Sequence, residues 1–131
     1  MAGAQGVQNL RGFLDAFMGG ELERARTYWS DDAVFHMSGN HRLAGDYSGG
    51  DRLLAVMGEM NAAVADLQAE PLDILADDRY MAMIVRLAGE RDGKAVHIRT
   101  AVAYRVDDDG KLAEAWHLAD DQAAFDRIFG Y

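Results

Sequence analysis

The chain has 131 residues, half of them hydrophobic, and a formal net charge of −9. That size suits a single domain over residues 1–131, which would bury roughly two-thirds of its unfolded surface, and the hydrophobic half of the composition argues against disorder. The chain has no cysteine, which excludes disulfides and thiolate metal centres, and its acidity without a basic stripe excludes a nucleic-acid partner.

In chain order, Leu10, Phe13, Leu14, Phe17 and Met18 recur at helical spacing, and Gly19-Gly20 ends that helix. A second helix is expected from about Glu21 to Ser30, closed by Asp31 and Asp32. Ala33 to Met37 reads as a short strand, and Ser38 to Gly50 as a polar, glycine-rich loop. Asp51 is the expected N-cap of a third helix, which runs to about Leu67 with Leu54, Met57, Met60, Ala63 and Val64 inward. Four antiparallel strands follow, at Pro71–Ala76, Tyr80–Ala88, Val96–Val106 and Leu112–Leu118. Their turns fall at Asp77-Asp78, Arg91-Asp92-Gly93 and Asp107-Asp108-Asp109-Gly110. Asp120 or Asp121 caps a short last helix with Phe125, Ile128 and Phe129 on its apolar side.

Helices segregated from strands give an α+β fold. The expected architecture is a curved antiparallel sheet forming a cone-like half barrel, covered by three N-terminal helices and a short C-terminal one. Met1 to Leu10 has no basic region leading into an apolar core, and no apolar run approaches roughly 20 residues. A cytoplasmic location without a membrane partner is therefore expected.

Three stretches carry a family resemblance. They are Trp29-Ser30-Asp31-Asp32-Ala33-Val34-Phe35-His36, then Leu43-Ala44-Gly45-Asp46-Tyr47-Ser48-Gly49, and Gly110-Lys111-Leu112-Ala113-Glu114-Ala115-Trp116. Together they resemble the SnoaL-like branch of the nuclear-transport-factor-2-like superfamily, a cystatin-like α+β cone. Its members include polyketide cyclases and ketosteroid isomerases. The resemblance implies a small-molecule pocket protein. Its activity would be that of a cofactor-independent cyclase, isomerase or dehydratase acting on a hydrophobic cyclic or polyketide-like compound. The alternative is a non-catalytic ligand-binding or dimerisation module. Superfamily members also imply a homodimer formed through the outer sheet face, where His97, Arg99, Ala101, Ala103 and Arg105 lie.

The usual ketosteroid isomerase route does not carry over. The positions of its tyrosine, proton-carrying aspartate and oxyanion-binding acid hold Phe13, Met37 and Val102. None of these moves a proton or donates a hydrogen bond.

His117 is the candidate base. Strand alternation puts Val96, Ile98, Thr100, Val102, Tyr104 and Val106 on the inner face. A four-residue loop from Asp107 to Gly110 places Thr100 opposite His117, among the small Ala113, Ala115 and Ala119. A single bulge in that loop would instead turn His117 outward and Trp116 inward. Thr100 and Tyr47 are the expected orienting groups. Phe13, Trp29, Phe35, Met37, Met57, Met60, Val102 and Tyr104 are the expected ligand wall, with methionine supplying adaptability. Alternation sends His36 to the outer face, and His41 reads as a solvated loop residue. No histidine spacing supports a metal site, and no cofactor is expected.

Overall fold

The computed structural model describes residues 2–129. Helix α1 (Ala2–Met18) buries Leu10, Phe13, Leu14 and Phe17. It ends in a Schellman turn: the Gly20 N–H donates to the Phe17 carbonyl at 3.2 Å and the Glu21 N–H to the Ala16 carbonyl at 2.9 Å. Gly20 has φ 72°, which only a residue without Cβ adopts at little cost.

Helix α2 (Leu22–Arg26) is shorter than the sequence suggests, and Trp29 to Asp32 open strand β1 (Trp29–Met37) instead of closing a helix. Arg26 draws the chain out of the helix, donating to the Trp29 carbonyl at 3.3 Å and to the Asp31 carboxylate at 2.8 Å. Within the expected loop, Gly45–Ser48 forms strand β2, paired antiparallel to β1. It has no alternating apolar pattern to betray it; backbone pairing alone makes it a strand.

Helix α3 (Gly50–Ala63) is preceded by Gly49 at φ 93°, so Asp51 lies in its first turn and is not its cap. Its inward residues are Leu53, Val56, Met57 and Met60, so Met57 and Met60 face inward as expected and Leu53, not Leu54, is buried beside them. The chain then enters strand β3 (Ala65–Ala76) directly, so the helix does not reach Leu67. Register shifts against β4 fall between Ala65 and Gln68 and between Pro71 and Asp73. Such bulges bend an edge strand and spoil it as a template for further pairing.

Strands β4 (Tyr80–Arg91) and β5 (Lys94–Val106) form a long hairpin. Its two-residue loop is Asp92-Gly93, with φ 54° and 76°, the signs a type I′ turn needs. Strand β6 (Leu112–Ala119) leads to helix α4 (Gln122–Phe129), which buries Phe125 and Phe129. The Asp121 carboxylate accepts the Ala124 N–H at 3.0 Å, as a cap should.

The six strands run in the order β2-β1-β6-β5-β4-β3. All neighbours are antiparallel except β1 and β6, which are parallel, so the sheet is mixed and not purely antiparallel. The reason is topological: β1 joins the sheet from the helical half of the chain and lies beside its last strand. The sheet is not closed. Its concave face, under α1 and α3, holds the core of this α+β fold.

Candidate functional site

Strand register decides which side chains can meet. Val102 pairs with His117, and Thr100 with Ala119, so the expected Thr100–His117 pair does not form. Two displacements cause this. Val106 pairs with Leu112, making the loop one residue longer than expected, and a bulge follows between Val106 and Arg105 in the β6 register. Each slip would flip the face of every later residue on β6. Together they cancel, and His117 still faces inward, 7% exposed.

The concave face encloses a cavity of about 60 Å³. Helix α1 supplies Phe13, Leu14 and Phe17 to its wall, and α3 supplies Val56, Met57 and Met60. The sheet closes it with Phe35, Ala69, Met83, Val85, Leu87, Val102, Tyr104 and His117. At this size the cavity is smaller than a typical preformed ligand site. A ring-sized guest has to displace the thioether side chains of Met57, Met60 and Met83, which are flexible enough to move.

Of the expected wall, Phe13, Phe35, Met57, Met60, Val102 and Tyr104 line the cavity beside His117. Two of the expected wall, Trp29 and Met37, and the two expected orienting groups, Tyr47 and Thr100, do not. Trp29 is 1% exposed and packs behind the wall, edge-on to Phe13 at 5.4 Å and 6.1 Å from the Tyr104 ring. Met37 is buried next to His117 across the parallel β1–β6 pair without reaching the cavity. The Tyr47 hydroxyl donates to the Leu43 carbonyl at 2.6 Å and its ring sits under Arg52 at 5.6 Å, which makes it a brace for the 38–50 segment. Thr100 faces inward without lining the cavity, its hydroxyl without a hydrogen-bond partner among the described residues.

His117 sits between aromatic rings, 6.2 Å from Phe35 and 5.0 Å from Phe125. Neither of its ring nitrogens has a hydrogen-bond partner among the described residues. Burial lowers its pKa to about 4, assisted by the imidazole of His41. The ring is therefore neutral near pH 7.

His41 is not a solvated loop residue. Its side chain is fully buried against Phe125. The ring accepts the Leu43 N–H at Nδ1 (3.1 Å) and donates from Nε2 to the Ser38 carbonyl at 3.2 Å. This ties the segment after β1 to α4. Ser38 continues the tie, since its hydroxyl lies 2.9 Å from the His117 carbonyl and 2.8 Å from the Gln122 side chain.

His36 lies on the outer face, as alternation requires. Asp46 and Glu114 hold its two ring nitrogens at 2.7 Å each, and the ring stacks on Trp116 at 5.6 Å. Those hydrogen bonds, that of Asp46 first, raise its pKa above the usual histidine value. The hydrogen bond with His36, and then that with Arg105 at 3.4 Å, hold Glu114 below the usual carboxylate range. Glu114 went unnoticed in the sequence because its partners are far away in the chain. Among the described residues no group of three or more histidine, cysteine or acidic side chains is arranged to hold a metal ion. No described helix is long and apolar enough to cross a membrane.

The same fold occurs in Bal32a, from a soil-derived mobile gene cassette. It is 22% identical with a TM-score of 0.91, over 98% of this chain and 99% of that one. A protein of unknown function with a cystatin-like fold from Xanthomonas campestris is 20% identical, with a TM-score of 0.85 over 96% and 98% of the two chains. IdmH of Streptomyces antibioticus, provisionally assigned as a polyketide cyclase, is 23% identical, with a TM-score of 0.76 over 88% and 92%. No curated protein matches the chain in sequence. The model of the SnoaL-like domain matches residues 10–115, and with the cone, its covering helices and its apolar hollow in place, the chain belongs to the SnoaL-like domain family.

Proposed function

We propose that this is a small-molecule pocket protein whose cavity takes a compact, hydrophobic, cyclic or polyketide-like compound. In this reading it is a cofactor-independent cyclase, isomerase or dehydratase with His117 as the proton acceptor. One observation carries it: an imidazole without a partner on a wall that is apolar but for it and the Tyr104 hydroxyl. Buried polar groups are normally satisfied, and a site that leaves one open is poised for an incoming group. Burial makes His117 a weak base, so the proton it takes must come from an acidified carbon or hydroxyl, such as the methylene between two carbonyls. The SnoaL-like family and the likeness to IdmH support that class of compound.

Native mass spectrometry of the purified protein tests this reading. Wild type should carry or accept a small cyclic ketone or diketone, and Ala69→Val, which narrows the cavity, should not. A wild type that accepts no such compound, or a variant that accepts it equally, refutes it.

A second reading rests on the outer sheet face. Leu75, Leu118, Tyr80 and Ile84 are 65%, 54%, 50% and 46% exposed, an unusual apolar display for a lone chain. Register places Ile84, Ala101 and Leu118 in one row and Ala82, Ala103 and Trp116 in the next. Arg99 and Asp120 border the first row at 3.7 Å from each other, so the rim offers both charges to a copy of itself. We infer a homodimer through this face, compatible with either a catalytic or a purely binding role for the cavity.

A further inference from the structure

The cavity has a second open polar group. Tyr104 is 3% exposed, lines the cavity from β5, and its hydroxyl has no hydrogen-bond partner among the described residues. Its surroundings explain why a phenol rather than a phenylalanine is informative there. The rest of the lining is Phe, Leu, Val, Ala and Met side chains, whose only acceptors are weak thioether sulfurs, and the imidazole of His117, with which Tyr104 makes no hydrogen bond. The hydroxyl opens onto the cavity and is not one of the sealed, unpartnered groups among the described residues, which are Trp29 Nε1, Ser30 Oγ and Thr100 Oγ1, so an incoming group can reach it.

Tyr104 pairs with Ala115, and Val102 with His117. Tyr104 and His117 are thus diagonal neighbours on one face, with backbones about 7–8 Å apart. Val102, which stands opposite His117 and two residues from Tyr104, also lines the cavity, and Phe35 lies 6.2 Å from the His117 ring. Two polar points therefore stand on one wall among apolar side chains. Among the described residues no lysine, arginine or carboxylate lines the cavity.

We propose that Tyr104 is the specificity-determining residue of the cavity, donating its hydroxyl hydrogen to an oxygen of the ligand, and that the ligand class is an uncharged oxygenated carbocycle. This rests on the cavity being a ligand site, as proposed above. A carbonyl oxygen accepts the phenol hydrogen, and the far edge of the same ring lies toward the neutral imidazole. Carboxylates and amines are excluded because the wall has no counter-charge. The phenol is a donor here, since burial pushes its pKa well up and keeps it protonated.

A matched pair of probes tests this: cyclohexanone and methylenecyclohexane, equal in shape and differing in the oxygen, with cyclohexanecarboxylate as the charged control. Binding is read from the methyl signals of labelled methionine, since Met57, Met60 and Met83 line the cavity. Tyr104→Phe should fold with unchanged or higher stability. It should lower the preference for ketone over alkene by about five- to tenfold, the worth of one neutral hydrogen bond. His117→Leu serves as a second variant and should leave the part of that preference owed to Tyr104 in place. If both neutral probes bind and Tyr104→Phe leaves the preference unchanged, Tyr104 is not the anchor, although the cavity remains a ligand site. If neither neutral probe shifts a methionine methyl at saturation, the ligand site itself is refuted and this proposal with it. Binding of the carboxylate as tightly as the ketone overturns the ligand class.

Discussion

Val102 and His117 stand directly opposite each other on β5 and β6, with both side chains on the cavity wall. The pairing sets an imidazole among hydrocarbon and gives the protein a proton-linked signature. The folded pKa of His117 is about 4 against 6.5 for an exposed histidine. Above 6.5 the ring is neutral folded or unfolded, and stability is fully retained. As the pH falls from 6.5 toward 4 the unfolded state gains a proton that the folded state refuses, and stability drops by on the order of 3 kcal/mol. Chemical denaturation across this window should show the loss in wild type and a much smaller one in His117→Leu.

His36 has the opposite sign. Asp46 and Glu114 raise its pKa, so its contribution is fully present below 6.5 and is lost as the pH rises through its folded value. His36→Gln should remove the decline of stability above pH 6.5 while leaving the acid-side loss intact. A profile that His36→Gln leaves unchanged above 6.5 would show that the two carboxylates do not hold this ring in solution.

Filling the cavity should stabilise the fold. Ala69→Val adds two methyl groups toward a hollow of about 60 Å³ and suits a strand position. The gain is up to about 1.5 kcal/mol, at roughly 0.8 kcal/mol per buried carbon. Thermal unfolding would register a higher midpoint, together with the lost ligand uptake described above. A lower midpoint would mean that the site is already closely packed.

The outer face should respond to charge. Leu118→Glu places a carboxylate in the exposed apolar row without touching the cavity, because Leu118 points away from His117. Sedimentation should show a dimer for wild type and a monomer for the variant, with unfolding little changed at equal monomer content. A wild type that sediments as a monomer at micromolar concentration contradicts the proposed dimer.

Gly20 offers a test of the helix boundary alone. No atom lies within 4 Å of where its Cβ would be, so Gly20→Ala introduces no clash and only the cost of φ 72°. That cost is about 1 kcal/mol, measurable by denaturant titration.

Much of this was legible in the sequence, and the failures have physical reasons. Alternation along β5 named the inner and outer faces correctly, because a half-buried strand writes its pattern in residue type. The double glycine marked the end of α1 because a left-handed turn demands it. Strand β2 was invisible, since Gly45–Ser48 is held by backbone pairing with β1 and by no apolar face. The parallel contact of β1 with β6 was invisible because nothing local encodes a partner so distant in the chain. Thr100 was misplaced by the loop length, yet His117 was not, because a second slip restored its face. Tyr104 was placed on the wall but not given a polar role, since only the structure reveals that its hydroxyl has no partner.

The most direct measurement is the titration of the His117 ring by nuclear magnetic resonance, its signals assigned by their absence in His117→Leu. A water-poor wall predicts a ring neutral from pH 8 down to 5, with a midpoint near 4. A midpoint near 6.5 would place that ring in water and contradict the account.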